Sequence, residues 1–268
     1  MSQTTVIVLA GKRSGALDAL AGARGVSHKC IIPVLDQPLI SHVLETIALT
    51  LPDAQIRVSI EDFSVIADIP VVKRLLEQNR IAAVEAQANL VESVALAVAQ
   101  AHYPVLITTA DNALLTPQAI MAMLKARPGA DALVALARKE QIIAAHPTGK
   151  NRYYEFRNGG FSNCNLFLLR GPRAIHAAEA FRTGGQFLKT KGRMLKTFGL
   201  LSALMYRTGW FTVEKMFERV SARLGVDVRP VVFEDGRLAI DVDDESSLRA
   251  VEDILKRSAG QKPQPALA

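Results

Sequence analysis

The sequence predicts an α/β fold in which a mostly parallel central sheet carries helices on both faces. Two observations carry that expectation. Short apolar runs rich in β-branched residues alternate along the chain with stretches of helical periodicity. The first run, Val6-Ile7-Val8-Leu9-Ala10, ends on Gly11, and a central one, Val105-Leu106-Ile107-Thr108-Thr109, ends just before Asp111. Glycines and carboxylates just beyond the carboxyl ends of parallel strands mark the ligand side of such a sheet.

Taken in order, residues 6–10 read as a buried first strand, and a loop follows as far as Pro33. A helix is expected from about 37 to 48, then strands over 56–60 and 82–86 with a helix over 71–79 between them. Residues 92–102 place Val94, Val98 and Ala101 at helical spacing, and 104–109 form the clearest central strand. Thr116 followed by Pro117 sets a helix start, with threonine as cap and proline at the first helical position. Strands are expected over 132–137, 153–157 and 165–169, the last two separated by Asn158-Gly159-Gly160. From 172 to 224 the pattern turns helical, broken by Gly184-Gly185, Gly192, Gly199 and Gly209. Strand character returns over 228–233 and 238–241, across Asp235-Gly236. Leu248, Val251, Ile254 and Leu255 then share one face of a last helix. Without repeats or linkers, residues 1–257 read as one domain with a helical insertion at about 172–224, and 258–268 as a disordered tail.

With 268 residues, 49% of them hydrophobic and 22% charged, the chain can bury a substantial core. The formal net charge of +6 suits polyanionic ligands such as nucleotides, or an anionic membrane surface. Cys30 and Cys164 form no CxxC and have no histidine pair nearby, which argues against a zinc site or disulfide framework and for a reduced interior. The apolar N-terminal run is too short to span a membrane and lacks a charged flank, so a cytoplasmic protein is expected.

Four segments carry chemistry. Leu9-Ala10-Gly11-Lys12-Arg13-Ser14-Gly15 follows the first strand, where backbone N–H groups can face phosphates, helped by Lys12 and Arg13. It is neither GxGxxG nor GxxxxGK[ST], so neither a dinucleotide site nor a P-loop is supported. Lys29 stands at the mouth of the long loop, before the rigid Pro33–Pro38 turn and its helix. Asp111 lies past the central strand, and the capping role nearby is already taken by Thr116. Asp241, Asp243 and Asp244 precede the final helix, which Asp243 or Asp244 would cap.

Together these segments resemble the GT-A-like sugar and alcohol nucleotidyltransferases, in particular the MobA-like NTP transferases. That family's pattern is LAGGxGxRM, a variable gap, then KPLLPLxGKPLIxHVL. Leu9-Ala10-Gly11 and Pro38-Leu39-Ile40-x-His42-Val43-Leu44 match it, and Lys29 falls at its phosphate-binding lysine. The resemblance runs to about residue 255 apart from the insertion. It implies a Rossmann-like GT-A fold and transfer of an NMP group from an NTP to a small phosphorylated acceptor, with Mg²⁺ as cofactor and no nucleic acid partner. Asp111 matches the metal-binding aspartate of its D-x-P motif, with Ala113 in place of proline, and Asp241-Val242-Asp243 matches its closing D-x-D, the second metal carboxylate. Asp241 is the first choice for that ligand and Asp243 the second. Lys29 and Arg13 would stabilise charge in catalysis, while Leu9, Ala10, Gly11, Lys12, Gln87 and Asp111 would hold the nucleotide. Gln87 lacks the family's following Gly-Thr. Gly160, Asn163 and Asn165 resemble the G-x-x-N-x-F acceptor strand, to which Arg193 and Lys196 of the insertion are added.

An acceptor that is already a phosphate is ionised at neutral pH and needs no general base. The five histidines show no arrangement in the sequence. Two rivals remain. A GT-A glycosyltransferase using a nucleotide sugar would carry D-x-D at Asp111-Asn112-Ala113, which is missing. A non-catalytic nucleotide-binding or peripherally membrane-associated protein is suggested by Lys189, Lys191, Arg193 and Lys196 leading into an apolar helical stripe.

Overall fold

The computed structural model describes residues 4–12, 16–147, 153–181 and 211–260. In chain order the strands are β1 (Thr5–Leu9), β2 (Pro33–Val34), β3 (Gln37–Pro38), β4 (Gln55–Ile60), β5 (Ile81–Glu85), β6 (Val105–Thr109), β7 (Ala132–Arg138), β8 (Tyr154–Phe156), β9 (Gly159–Leu169) and β10 (Val228–Phe233). The α-helices are α1 (Ala19–Ala23), α2 (Leu39–Thr50), α3 (Ser64–Ala67), α4 (Pro70–Glu77), α5 (Leu90–Val98), α6 (Pro117–Lys125), α7 (Lys139–Ala145), α8 (Val213–Leu224) and α9 (Glu245–Gly260).

The main sheet runs β10-β7-β9-β6-β1-β4-β5, with β8 joined to β9. β1 pairs in parallel with β4 and β6, β4 with β5, and β7 with β10, whereas β9 runs antiparallel to β6, β7 and β8. The β-branched runs form strands because both faces are covered. Val6, Val8, Val58 and Leu106 pack with Val43, Leu44 and Ile47 of α2 on one side. Ile7, Val105 and Ile107 pack with Val94, Ala97 and Val98 of α5 on the other. Full burial of a Val, Leu or Ile side chain stabilises a fold by about 1.5–3 kcal/mol.

Helix ends follow from local chemistry. The Thr116 side chain caps α6, with Pro117 in its first turn, and Asn89 caps α5 by accepting from Glu92 N–H. At the other ends, arginines satisfy carbonyls that the helices leave open. Arg57 Nη1 donates to Ala97 O at 2.9 Å after crossing to α5, and Arg80 Nη2 to Leu51 O at 2.7 Å beyond α2. Arg170 donates to Leu124 O and Ala126 O at the end of α6.

Beyond the carboxyl ends of the strands lies a third apolar cluster. It joins Leu20, Ile32, Val34 and Leu39 to Ala113 and Leu114, and both groups to Ile240, Val242, Leu248 and Val251. Three segments distant in sequence are thereby tied to one spot.

The structure corrects several expectations. The loop after Gly11 contains α1, because Asp18 accepts from Leu20 and Ala21 N–H and nucleates a turn. The helix expected over 92–102 starts at Leu90, fixed by its Asn89 cap, and ends at Val98. Gly159 and Gly160 are not a turn between strands but the start of β9. Residues 238–241 are not a strand: Asp235 caps a 3₁₀ turn, Gly236–Ala239, and extended chain follows. Gly236 makes this possible by pressing on α7, where a Cβ would stand 2.2 Å from the Gln141 carbonyl. Of the stretch 172–224, a 3₁₀ segment Pro172–Phe181 and α8 are described, and α8 packs along β10. Helix α9 continues through residues 258–260, and 261–268 lie outside the described residues. Among the described residues no helix is long and apolar enough to cross a membrane.

Candidate active site

The glycine loop is set between two strands, since Ala10 N–H donates to Ser59 O at 2.9 Å and Ala110 N–H to Leu9 O at 2.9 Å. Glycine is required at position 11 by crowding: a Cβ there would stand 2.7 Å from Ala86 Cβ and 3.1 Å from Glu61 Oε1. Lys12 N–H donates to Glu61 Oε1 at 2.6 Å. Arg13 lies outside the described residues.

Lys29 opens a 3₁₀ turn, Lys29–Ile31, whose Cys30 is buried and whose exit, Ile32, is anchored in the third cluster. From there the side chain reaches two carboxylates. Its Nζ donates to Asp111 Oδ2 at 2.6 Å and to Asp243 Oδ1 at 2.6 Å. Asp111 is further held by Thr109 Oγ1, which donates to its Oδ1 at 2.5 Å. Next to it, Asn112 is buried, donating to Thr108 Oγ1 and Cys164 O and so tying this turn to β9.

Asp241 and Asp243 owe their direction to alternation in extended chain. Ile240 and Val242 point into the apolar cluster, so the two carboxylates between and after them point away. Asp244 accepts from Ser247 N–H at 2.8 Å and caps α9, which leaves Asp243 free for Lys29. Asp241, the first choice in the sequence reading, does not pair with the lysine. Its Oδ1 is closed off from solvent and has no hydrogen-bond partner among the described residues.

The electrostatics follow. Burial alone would lower the pKa of Lys29, but Asp111 and Asp243 raise it well above the ordinary lysine value. Burial would raise Asp111, yet the Lys29 charge and hydrogen bond, with Thr109, hold it below the usual carboxylate range. Asp241 is pushed well upward by burial and by the charges of Asp111 and Asp243, against a smaller downward pull from Lys29 and the Asn165 side chain.

The other expected site residues divide. Asn165 lies against Asp241, at a left-handed φ of 47° within β9, beside the register shift between Val134 and Leu136 on β7. Such a residue inside a strand marks a bulge that re-aims its side chain. Asn163 Oδ1 accepts from Asn165 N–H at 3.1 Å and supports that kink. Gly160 is not in this group; it lies under the Lys139–Glu155 ion pair, where a Cβ would stand 2.9 Å from Lys139 Cδ. Gln87 folds back, its Nε2 donating to Glu85 O, although Ala86 beside it touches Gly11. Arg193 and Lys196 lie outside the described residues.

Two neighbours escaped the sequence reading. Glu61 follows β4 as Asp111 follows β6, an acid at the carboxyl end of a parallel strand, and that signal was available. His28, one of the histidines without arrangement in the sequence, is buried with its Nε2 3.5 Å from Glu61 Oε2.

The residues fit a divalent cation. Among the described residues no three His, Cys, Asp or Glu side chains group to enclose a metal. Mg²⁺, however, is usually held by one or two carboxylates with substrate phosphates completing the shell. Asp111 and Asp243, whose oxygens already share one cation, are such a pair, and Oδ1 of Asp241 is a buried oxygen without a hydrogen-bond partner among the described residues.

Solved structures of other proteins share this fold. A hypothetical transferase from Thermus thermophilus superposes with a TM-score of 0.75 at 22% identity, over 92% of this chain and 100% of that one. The 4-diphosphocytidyl-2C-methyl-D-erythritol synthase of Anaerococcus prevotii gives 0.57 at 12% identity, over 96% and 99%. A putative glucose-1-phosphate thymidylyltransferase from Bacillus anthracis gives 0.56 at 13%, over 94% of each chain. At these identities the likeness establishes the fold, that of the GT-A-like nucleotidyltransferases. No curated protein sequence matches significantly. The family model of the MobA-like NTP transferase domain matches residues 6–202, which hold the glycine loop, Lys29 and Asp111, and the chain belongs to that nucleotidyltransferase family.

Proposed function

We propose that the protein transfers an NMP group from an NTP to a phosphorylated acceptor, a sugar phosphate or a polyol or amino-alcohol phosphate, and releases pyrophosphate. The observation that carries this reading is Lys29, 2.6 Å from both Asp111 and Asp243, beside a glycine loop at the carboxyl edge of the sheet. One cation between two carboxylates beside a glycine loop suits phosphoryl-type transfer, which asks for charge neutralisation and positioning. The name of the thymidylyltransferase relative specifies a sugar phosphate acceptor, in keeping with this class.

The acceptor's phosphate oxygen attacks the α-phosphorus in line, and pyrophosphate leaves with the bonding pair. Gly11 lets the loop approach the triphosphate closely, where the Lys12 and Arg13 side chains offset its charge. Lys29 stabilises charge gathering on the α-phosphate and the leaving group. Asn163 and Asn165, on the kink of β9, orient the acceptor, and Arg193 and Lys196 supply cations for its phosphate. Mg²⁺, when bound by Asp111 with Asp243 or Asp241, supplies further neutralisation of the phosphate oxygens. The reaction runs in the cytoplasm.

A pyrophosphate-release assay over four NTPs and a panel of sugar, polyol and amino-alcohol phosphates tests the reading. One NTP–acceptor pair should release pyrophosphate in a Mg²⁺-dependent manner. Turnover of a nucleotide sugar, with no pyrophosphate from any NTP, would replace it by glycosyl transfer.

A further inference from the structure

We infer that Lys29 is an exchangeable internal counter-ion, whose ammonium holds the point between Asp111 and Asp243 and yields it when a divalent cation enters together with a polyphosphate. The polyphosphate half of this inference rests on the transferase reading; the cation half rests on geometry alone.

Nζ of Lys29 is 2.6 Å from an oxygen of each carboxylate. Mg²⁺ bound to the same two oxygens would sit about 2.0–2.1 Å from each. The two positions overlap, and two cations in contact repel, so a metal held by Asp111 and Asp243 must displace the lysine. Lysine suits exchange, being a compact charge on a flexible four-carbon stem. The Lys29 side chain is only 19% exposed, so an ammonium driven off its carboxylates needs a new counter-charge close by. The glycine loop and Lys12 define where a polyphosphate would offer one. A metal arriving alone has nothing to give Lys29 in return. Asp243, 74% exposed on its coil, can follow either cation, whereas Asp111 is fixed by Thr109.

The test is Mn²⁺ binding, followed by electron paramagnetic resonance in the absence of any nucleotide. Lys29→Met should bind Mn²⁺ at least about tenfold tighter than wild type, because an opposing charge at hydrogen-bond distance moves a charged-state equilibrium by one to three decades. Lys29→Arg keeps a cation in place and should stay near wild type. Adding Asp243→Asn to Lys29→Met should abolish the gain. A Lys29→Met protein that melts normally and binds Mn²⁺ no tighter than wild type overturns the inference. Should that variant not fold, wild type itself decides. Its Lys29 ¹⁵Nζ resonance should move with Mg²⁺ plus tripolyphosphate and stay put with Mg²⁺ alone. Movement with Mg²⁺ alone, or none with both, overturns the exchange. Active wild type without the Mn²⁺ gain keeps the transferase reading and loses this one; the gain without pyrophosphate release from any NTP does the reverse.

Discussion

Asp111 and Asp243 meet at one ammonium but are placed there by unlike means. Asp111 follows β6, a strand paired on both sides, and is braced by Thr109 and by buried Asn112. Asp243 sits 74% exposed on a coil and is aimed only because Ile240 and Val242 are buried on the opposite side and Asp244 is occupied as a cap. One half of the site is built from backbone hydrogen bonds, the other from apolar packing at long sequence distance. Rigidity on one side and adjustability on the other suit the proposed exchange of Lys29 for a divalent cation.

Removing the link between the halves should have the largest effect. Lys29→Ala is expected to lower kcat by about a hundredfold or more, since a charge contact realised in the transition state is lost. The fold should survive, because the turn that carries the lysine is anchored by Cys30 and Ile32. Steady-state kinetics and thermal melting on the same sample check this, and an unchanged kcat with intact melting removes Lys29 from the chemistry.

A pair of glycine substitutions breaks each half separately. Gly236→Ala puts a Cβ 2.2 Å from the Gln141 carbonyl and 2.4 Å from Ile142 N, against backbone that cannot rotate away. Overpacking of this kind costs about 1–3 kcal/mol, and denaturant titration should show it as a lowered midpoint. Gly11→Ala meets Ala86 Cβ at 2.7 Å and the mobile end of Glu61 at 3.1 Å. It should cost less stability and raise KM for NTP instead. Equal stability losses with unchanged KM would show that both glycines serve packing alone.

The same contrast explains what could be read from the sequence. The parallel strands, the Thr116–Pro117 helix start and Asp111 are written in local pattern, because buried β-branched runs and capping residues act over a few positions. The family motifs located Lys29 for the same reason. Residues 238–241 read as a strand because Leu238, Ile240 and Val242 alternate as strand residues do, whereas they form the end of a 3₁₀ turn and the start of extended chain. What holds it is Gly236 packed on Gln141, a contact across 95 residues of chain that no local pattern records. The bulge that turns Asn165 toward Asp241 is likewise set by pairing with β7, and Gly160, in the same motif, ends beneath Lys139 and Glu155.

The smallest expected effect concerns the braced half. His28 is buried beside Glu61, with Nδ1 3.0 Å from Ser27 Oγ and Nε2 3.5 Å from Glu61 Oε2. Burial, then the Lys12 charge, lower its pKa against the upward pull of Glu61 and Asp62. The folded protein therefore resists a proton that the unfolded chain accepts near pH 6.5. In that window the unfolded state binds more protons, so stability falls as pH drops below about 6.5 and levels off beneath the lowered folded value. Asp241 works in the opposite sense: its raised pKa makes the folded state the better proton acceptor, which stabilises it on acidification from above. Asp111, held below the usual range, contributes stability that is lost only at lower pH still, below about 3.9. The wild-type profile mixes these slopes, so the informative quantity is the stability of wild type minus that of His28→Gln, measured by urea titration between about pH 7.5 and pH 5. The substitution removes one titration and leaves both aspartates. That difference should shrink as the pH falls through about 6.5, and a flat difference would mean that His28 takes up its proton equally in both states.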